Sequence, residues 1–167
     1  MSGGAFYQES SVIEFSREKL IALKSLYEEL QGKSLLIAYN FKHELARILK
    51  IFSKEKVCVV KGGTKHKDLI SIKDNWNAGN IPILLVQPQA MSYGLNLQKG
   101  GYNICWFSPP EDLDVYYQLN KRLDRVGQKN LVSIYHLVSK KTLDIGIFNT
   151  LRKKENIQEY LKKELYV

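Results

Sequence analysis

The chain has 167 residues, enough for one domain with a sizeable core, and its 25 Lys and Arg against 17 Asp and Glu give a formal net charge of +8. That balance favours a polyanionic partner, nucleic acid ahead of any membrane. No apolar run approaches the roughly 18 residues of a membrane span, no apolar signal segment opens the chain, and Cys58 and Cys105 sit in apolar runs with no C-x-x-C pair, which argues against zinc and for reduced core thiols in a cytoplasmic protein.

Residues 1–15 read as a flexible N-terminal segment and 16–167 as the domain. A helix is expected over 16–31, with Ser16 as N-cap, leucines at helical spacing and Gly32 as stop. SLLIAYN (34–40) has the length and apolarity of a buried strand, and HELARILKIF (43–52) reads as a helix. VCVV (57–60) is a second strand, stopped by Gly62 and Gly63, and 66–79 a helix closed by glycine. IPILLVQ (81–87) and YNICWF (102–107) are the third and fourth strands. After Pro109 and Pro110 a helix over 111–126 carries acidic residues in its first turn. LVSIYHLV (131–138) is a fifth strand, and 142–163 a last helix whose Arg152, Lys153, Lys154, Lys162 and Lys163 form a basic outer face.

Strands that are near-continuous apolar runs, alternating with helices, imply an α/β fold: an open doubly wound parallel sheet with helices on both faces. Ligands of such sheets bind outside the carboxyl ends of the strands. The loops to watch therefore follow Tyr39, Val60, Val86 and Phe107, together with the turn at Val126–Lys129. The tripeptide Gly32–Lys33–Ser34 mimics the tail of a phosphate-binding loop, but Tyr27 stands where the first glycine belongs, and the tripeptide leaves a helix for a strand rather than the reverse. No G-x-G-x-x-G, acidic pair or Ser/His/Asp spacing suggests that this chain grips a nucleotide or hydrolyses a substrate unaided.

One stretch, QLNKRLDRVGQ (118–128), stands apart. At about 100° per residue, Gln118, Arg122 and Arg125 share one helix face, while Tyr116, Leu119, Leu123 and Val126 form a separate apolar stripe for the sheet. From spacing alone this is equally a solvated helix with ordinary surface arginines. Guanidinium groups nevertheless suit planar, multi-donor contact with phosphate.

The same stretch resembles motif VI of Snf2-type superfamily 2 helicase-like ATPases, which reads Q-x-x-x-R-x-x-R-x-G-Q. The resemblance extends from about residue 16 to about 163. LLIAYNFKHEL (35–45) is similar to motif IV. VVKGGTKHKDLISIKDNWNAG (59–79) is similar to the strand, turn and helix that follow it, and AMSYGLNL (90–97) to the end of motif V. The wording around 75–97 is nearest that of short phage and prophage members. Two departures stand out: Pro88 replaces the motif V threonine that normally meets a nucleic-acid phosphate, leaving Gln87, Gln89 or Ser92 as substitutes, and Lys121 replaces the usual acidic residue before the first arginine.

The resemblance implies the C-terminal, second RecA-like lobe of a two-lobed motor. A separate lobe 1, absent from this chain, would hold ATP and Mg2+, so this domain, a monomer by itself, would be inactive alone. Arg125 is implied as the finger on the γ-phosphate and Arg122 as a second phosphate contact or a brace, with Gly94, Asn96, Gln118 and Gln128 around the nucleotide. Asn40, Phe41, Lys42, Gly62, Gly63, Thr64, Lys65, Ser92 and Tyr93 are implied as contacts to the phosphates of a nucleic-acid track, duplex DNA first. The location implied is the cytoplasm of a bacterial or phage-infected cell. A rival reading is a non-catalytic module that binds DNA or a protein and never meets a lobe 1.

Overall fold

Each apolar run becomes a short strand of four residues: β1 Leu35–Ala38, β2 Val57–Val60, β3 Ile83–Val86, β4 Asn103–Trp106 and β5 Ser133–His136. They were obtained from a computed structural model that describes residues 9–92, 94–110, 112–139, 144 and 146–154, the side chains of 9–16 and of Ser92 excepted. All four pairings are parallel, in the order β2-β3-β1-β4-β5. Every side chain of β1, β3 and β4 is buried, as strands covered on both faces require.

Alternation along the strands divides the core in two. Leu35 and Ile37 join Leu23 of α1 (Glu9–Glu29), Leu30 in the turn just after it and Ile48 of α2 (Lys42–Ile51) on one face. Leu36 and Ala38 join Leu69 and Trp76 of α3 (His66–Asn77) and Leu119 of α4 (Leu113–Asn120) on the other. The expected doubly wound α/β architecture is present. From β1 the chain crosses towards β2, whereas from β4 it crosses the opposite way to β5, so the topological switch lies between neighbouring β1 and β4.

Two expectations are corrected. Helix α1 starts at Glu9, so Ser16 is not its N-cap; no glycine or proline interrupts the stretch from Glu9 to Glu29. Helix α4 ends at Asn120, and residues 121–127 are turns. Arg122 and Arg125 therefore do not stand on a helix face, and Val126 is 95% exposed instead of completing an apolar stripe. At the last helical residue, the buried Asn120 side chain accepts a hydrogen bond from the buried Trp106 Nε1 at 3.1 Å. Gly32, with φ of +82°, closes α1 as an ordinary helix-to-strand turn. Residues 146–154 are helical, with Arg152, Lys153 and Lys154 exposed; Lys162 and Lys163 lie outside the described residues.

Candidate functional site

The turn after α4 is built by its own backbone: Arg122 N bonds Leu119 O, Leu123 and Asp124 N bond Asn120 O, and Gln128 N bonds Arg125 O. Leu123 is fully buried and anchors the turn, and Gly127 at φ +96° reverses the chain where a side chain would be strained. Helix α4 begins beyond the carboxyl end of β4 and leads back towards the start of β5, so this turn lies on the α3–α4 face beside the segment 91–101.

That segment meets the arginines residue by residue. Arg122 Nη2 donates to Met91 O at 3.0 Å, and Arg122 O accepts from Leu97 N at 3.1 Å. A Cβ on Gly94 would stand 3.9 Å from Arg122 Nη1, so the glycine lies directly against the guanidinium. The exposed Arg125 donates through Nη1 to Asn96 Oδ1, while Asn96 O accepts from Asn77 Nδ2 at 2.8 Å. Gln128 Nε2 spans Gln98 O, Gly101 O and Leu123 O at 2.9, 3.0 and 3.3 Å, and its Oε1 accepts from Asn130 N. Gln128 is thus a brace that fixes the turn to the strand entering β4. Gln118 stays exposed on α4 and makes no described contact with either arginine.

The electrostatics of the pair are one-sided. Among the described residues neither guanidinium has a carboxylate within ion-pairing distance; the nearby Asp124 pairs with Lys121 at 2.7 Å. Burial, and then the charge of Arg125, lower the pKa of Arg122 below the ordinary arginine value. Its Nε is buried and has no hydrogen-bond partner among the described residues. A buried donor left unmade costs about 1–3 kcal/mol. Two like charges, with one such donor, define a place that an anion would complete.

The track candidates lie elsewhere, at the carboxyl edge. Phe41 is 54% exposed and stacks on His43, and Lys42, Gly62, Gly63 and Lys65 are also exposed. Asn40 turns inward: its Nδ2 donates to Pro109 O at 2.7 Å. The Thr64 hydroxyl closes its own turn, accepting from Lys61 N and donating to Lys61 O. The backbone N–H of Gly62 is taken by Gln87 Oε1 at 3.2 Å, whereas Gly63 holds φ of +84°. Tyr93 lies outside the described residues, as does the side chain of Ser92.

Sequence reasoning passed over several structural partners. Trp76 Nε1 donates to Leu97 O at 2.9 Å, and a Cβ on Gly100 would fall 2.1 Å from Trp76 O. The adjacent glycines at 100 and 101, close before a strand, were the available sign of this close approach. Glu44, 8% exposed, accepts from the backbone N–H groups of Asn40 and Phe41 at 3.0 and 3.1 Å and from the Ser108 hydroxyl. Nothing local marks it. No group of three His, Cys, Asp or Glu side chains placed to hold a metal occurs among the described residues, and none of their helices is long and apolar enough to cross a membrane.

Comparison with known proteins identifies the type of domain and its fold. Residues 18–127 match the helicase conserved C-terminal domain. The chain is 34% identical over 168 residues to "Putative protein p41" of Acyrthosiphon pisum secondary endosymbiont phage 1, covering 96% of this chain and 35% of that protein. It is 26% identical to the ISWI chromatin-remodeling complex ATPase ISW1 of Saccharomyces cerevisiae, covering 93% of this chain but only 14% of that protein. The crystal structure of the C-terminal part of the Fun30 ATPase domain superposes with a TM-score of 0.72 at 26% identity, over 80% of this chain and 44% of that one. The chain spans about a third, or less, of these curated relatives.

Proposed function

This chain belongs to the helicase conserved C-terminal domain family, in its Snf2-type branch, and we propose that it is the second motor lobe of an ATP-dependent translocase whose track is nucleic acid, duplex DNA first. A P-loop lobe, in the same polypeptide or a separate one, would hold ATP and Mg2+, and the motor would work in the cytoplasm of a bacterial or phage-infected cell. The observation that carries the reading is the uncompensated arginine pair: Arg122 half-buried with an unpartnered Nε, Arg125 exposed beside it and oriented by Asn96.

ATP held on the first lobe supplies the phosphoryl group and the charge that develops on it. Arg125 would be presented across the domain gap to that γ-phosphate, and Arg122, steadied by the Met91 carbonyl, would give a second phosphate contact or brace the turn. A cation supplied by a neighbouring domain in this way is worth about 10³–10⁵ in rate. Because it stands across a gap, turnover requires closure, and repeated closure moves the lobe along its track. The exposed Phe41, Lys42, Gly63 and Lys65 are the outward-facing track contacts; they would act on phosphates without reading sequence.

In the two-lobed motor, Arg125→Ala should lower DNA-stimulated ATP hydrolysis by about 10³-fold or more while leaving ATP binding within a few-fold. Steady-state ATPase and nucleotide titration measure the two quantities. Activity within a few-fold of the parent would remove Arg125 from this role. Tight, salt-sensitive DNA binding by the chain alone, with no response to a P-loop lobe, would favour a simple binding module instead.

A further inference from the structure

At the topological switch the two connections that diverge from β1 and β4 are not independent: one carboxylate holds both. Glu44, in the first turn of α2, is nine-tenths buried. Its Oε2 accepts from Asn40 N at 3.0 Å and Phe41 N at 3.1 Å, and its Oε1 accepts from the Ser108 hydroxyl. A second strut runs alongside, from Asn40 Nδ2 to Pro109 O at 2.7 Å. Residues 40–42 carry the exposed Phe41 and Lys42 of the track edge. Residues 108–110 lead through two prolines into Asp112, which caps α4 by accepting from Val115 N at 2.8 Å. The far end of α4 is pinned to β4 by the Trp106–Asn120 hydrogen bond, and Arg122 follows two residues later. Polar groups as thoroughly matched as these behave as one unit, because withdrawing any one of them leaves a buried donor or acceptor unmade.

We propose that Glu44 is a positioning residue that joins the track-facing loop to the arm bearing Arg122 and Arg125, so that nucleic-acid contact and arginine presentation move as one body. The inference rests on the motor reading given above. A carboxylate suits the place because it offers acceptors only, and all three groups that face it donate. Its amide counterpart can keep all three bonds, Oε1 taking the two backbone N–H groups and the NH2 donating to the Ser108 hydroxyl oxygen, whereas leucine keeps a similar volume and removes all three. A joint of this kind predicts a particular signature. Loss of Glu44 leaves the resting hydrolysis of the motor intact, because the arginines themselves are untouched. It removes the acceleration that the track confers.

The test uses the complete two-lobed motor with Glu44→Leu, Ser108→Ala and Ser108→Thr, assayed for ATP hydrolysis with and without duplex DNA. Glu44→Leu should lower the DNA-stimulated kcat by about ten-fold, with basal ATPase and the KM for ATP within two-fold of the parent. Ser108→Ala should move in the same direction by less, and Ser108→Thr, which keeps the hydroxyl, should restore stimulation. Thermal unfolding of each variant separates a loss of coupling from a loss of fold. Stimulation unchanged in Glu44→Leu, or basal and stimulated rates falling together, or only the KM for DNA rising, overturns the inference while the motor reading stands. A parent motor with ATPase indifferent to DNA overturns both.

Discussion

The arginine turn and the Glu44 joint are built by opposite rules. At the joint every polar group meets its complement: a carboxylate takes three donors, and an amide takes a carbonyl. At the turn two cations stand together without a described acid, and a buried Nε has nothing to donate to. A protein gains nothing in stability from the second arrangement. Unmatched buried groups also occur away from the turn, the Tyr39 hydroxyl among them, so what distinguishes the turn is the unmade donor together with two adjacent like charges.

Substitutions that invade a closed region should cost most. Gly100→Ala sets a methyl 2.1 Å from the Trp76 carbonyl oxygen, which backbone cannot easily yield, and should destabilise by about 2–4 kcal/mol in denaturant unfolding. Gly94→Ala meets only the end of a flexible arginine at 3.9 Å and should cost well under half as much. Equal losses would break the distinction between a packed glycine and one that borders an open site.

Next in size is a pH effect from the core. Burial pushes the Cys105 thiol from 9.0 up to about 12, with the Lys19 charge pulling slightly the other way. The folded thiol therefore stays protonated while the unfolded one ionises. This contribution to stability is fully present below pH 9 and is lost between pH 9 and about 12, at about 1.4 kcal/mol per pH unit. Cys105→Ala should flatten the fall in stability over that window, and an unchanged slope would deny the thiol this role.

The smallest effect has the most informative sign. Arg122→Met removes a half-buried cation, its unpartnered donor and its repulsion with Arg125, at the expense of the Met91 carbonyl bond. Stability should be unchanged or higher by up to about 1 kcal/mol, while DNA-stimulated ATPase collapses. A loss above 2 kcal/mol would mean that the guanidinium is structural.

These regions differed in how far they could be read from the residues. The strands were legible because a parallel sheet covered on both sides demands continuous apolar runs, and Gly32, Gly79, Pro109 and Pro110 punctuate them. Arg122 and Arg125 were legible through a motif, but their setting was not. The spacing of Leu119, Leu123 and Val126 continues a helical period through the place where the helix stops. Its last residue, Asn120, is tied to Trp106 by a tertiary hydrogen bond that no local pattern announces. Glu44 was invisible for a related reason: its partner Ser108 lies 64 residues away, and an acid in the first turn of a helix reads as ordinary end-capping.

The most direct measurement is complementation in trans: this chain mixed with a P-loop lobe of its motor, with ATP hydrolysis followed in the presence of duplex DNA. Turnover should need both proteins and should vanish when the chain carries Arg125→Ala. Hydrolysis by the chain alone, or full complementation by the Arg125→Ala chain, would contradict the claim that it donates its arginine to a nucleotide held by another lobe.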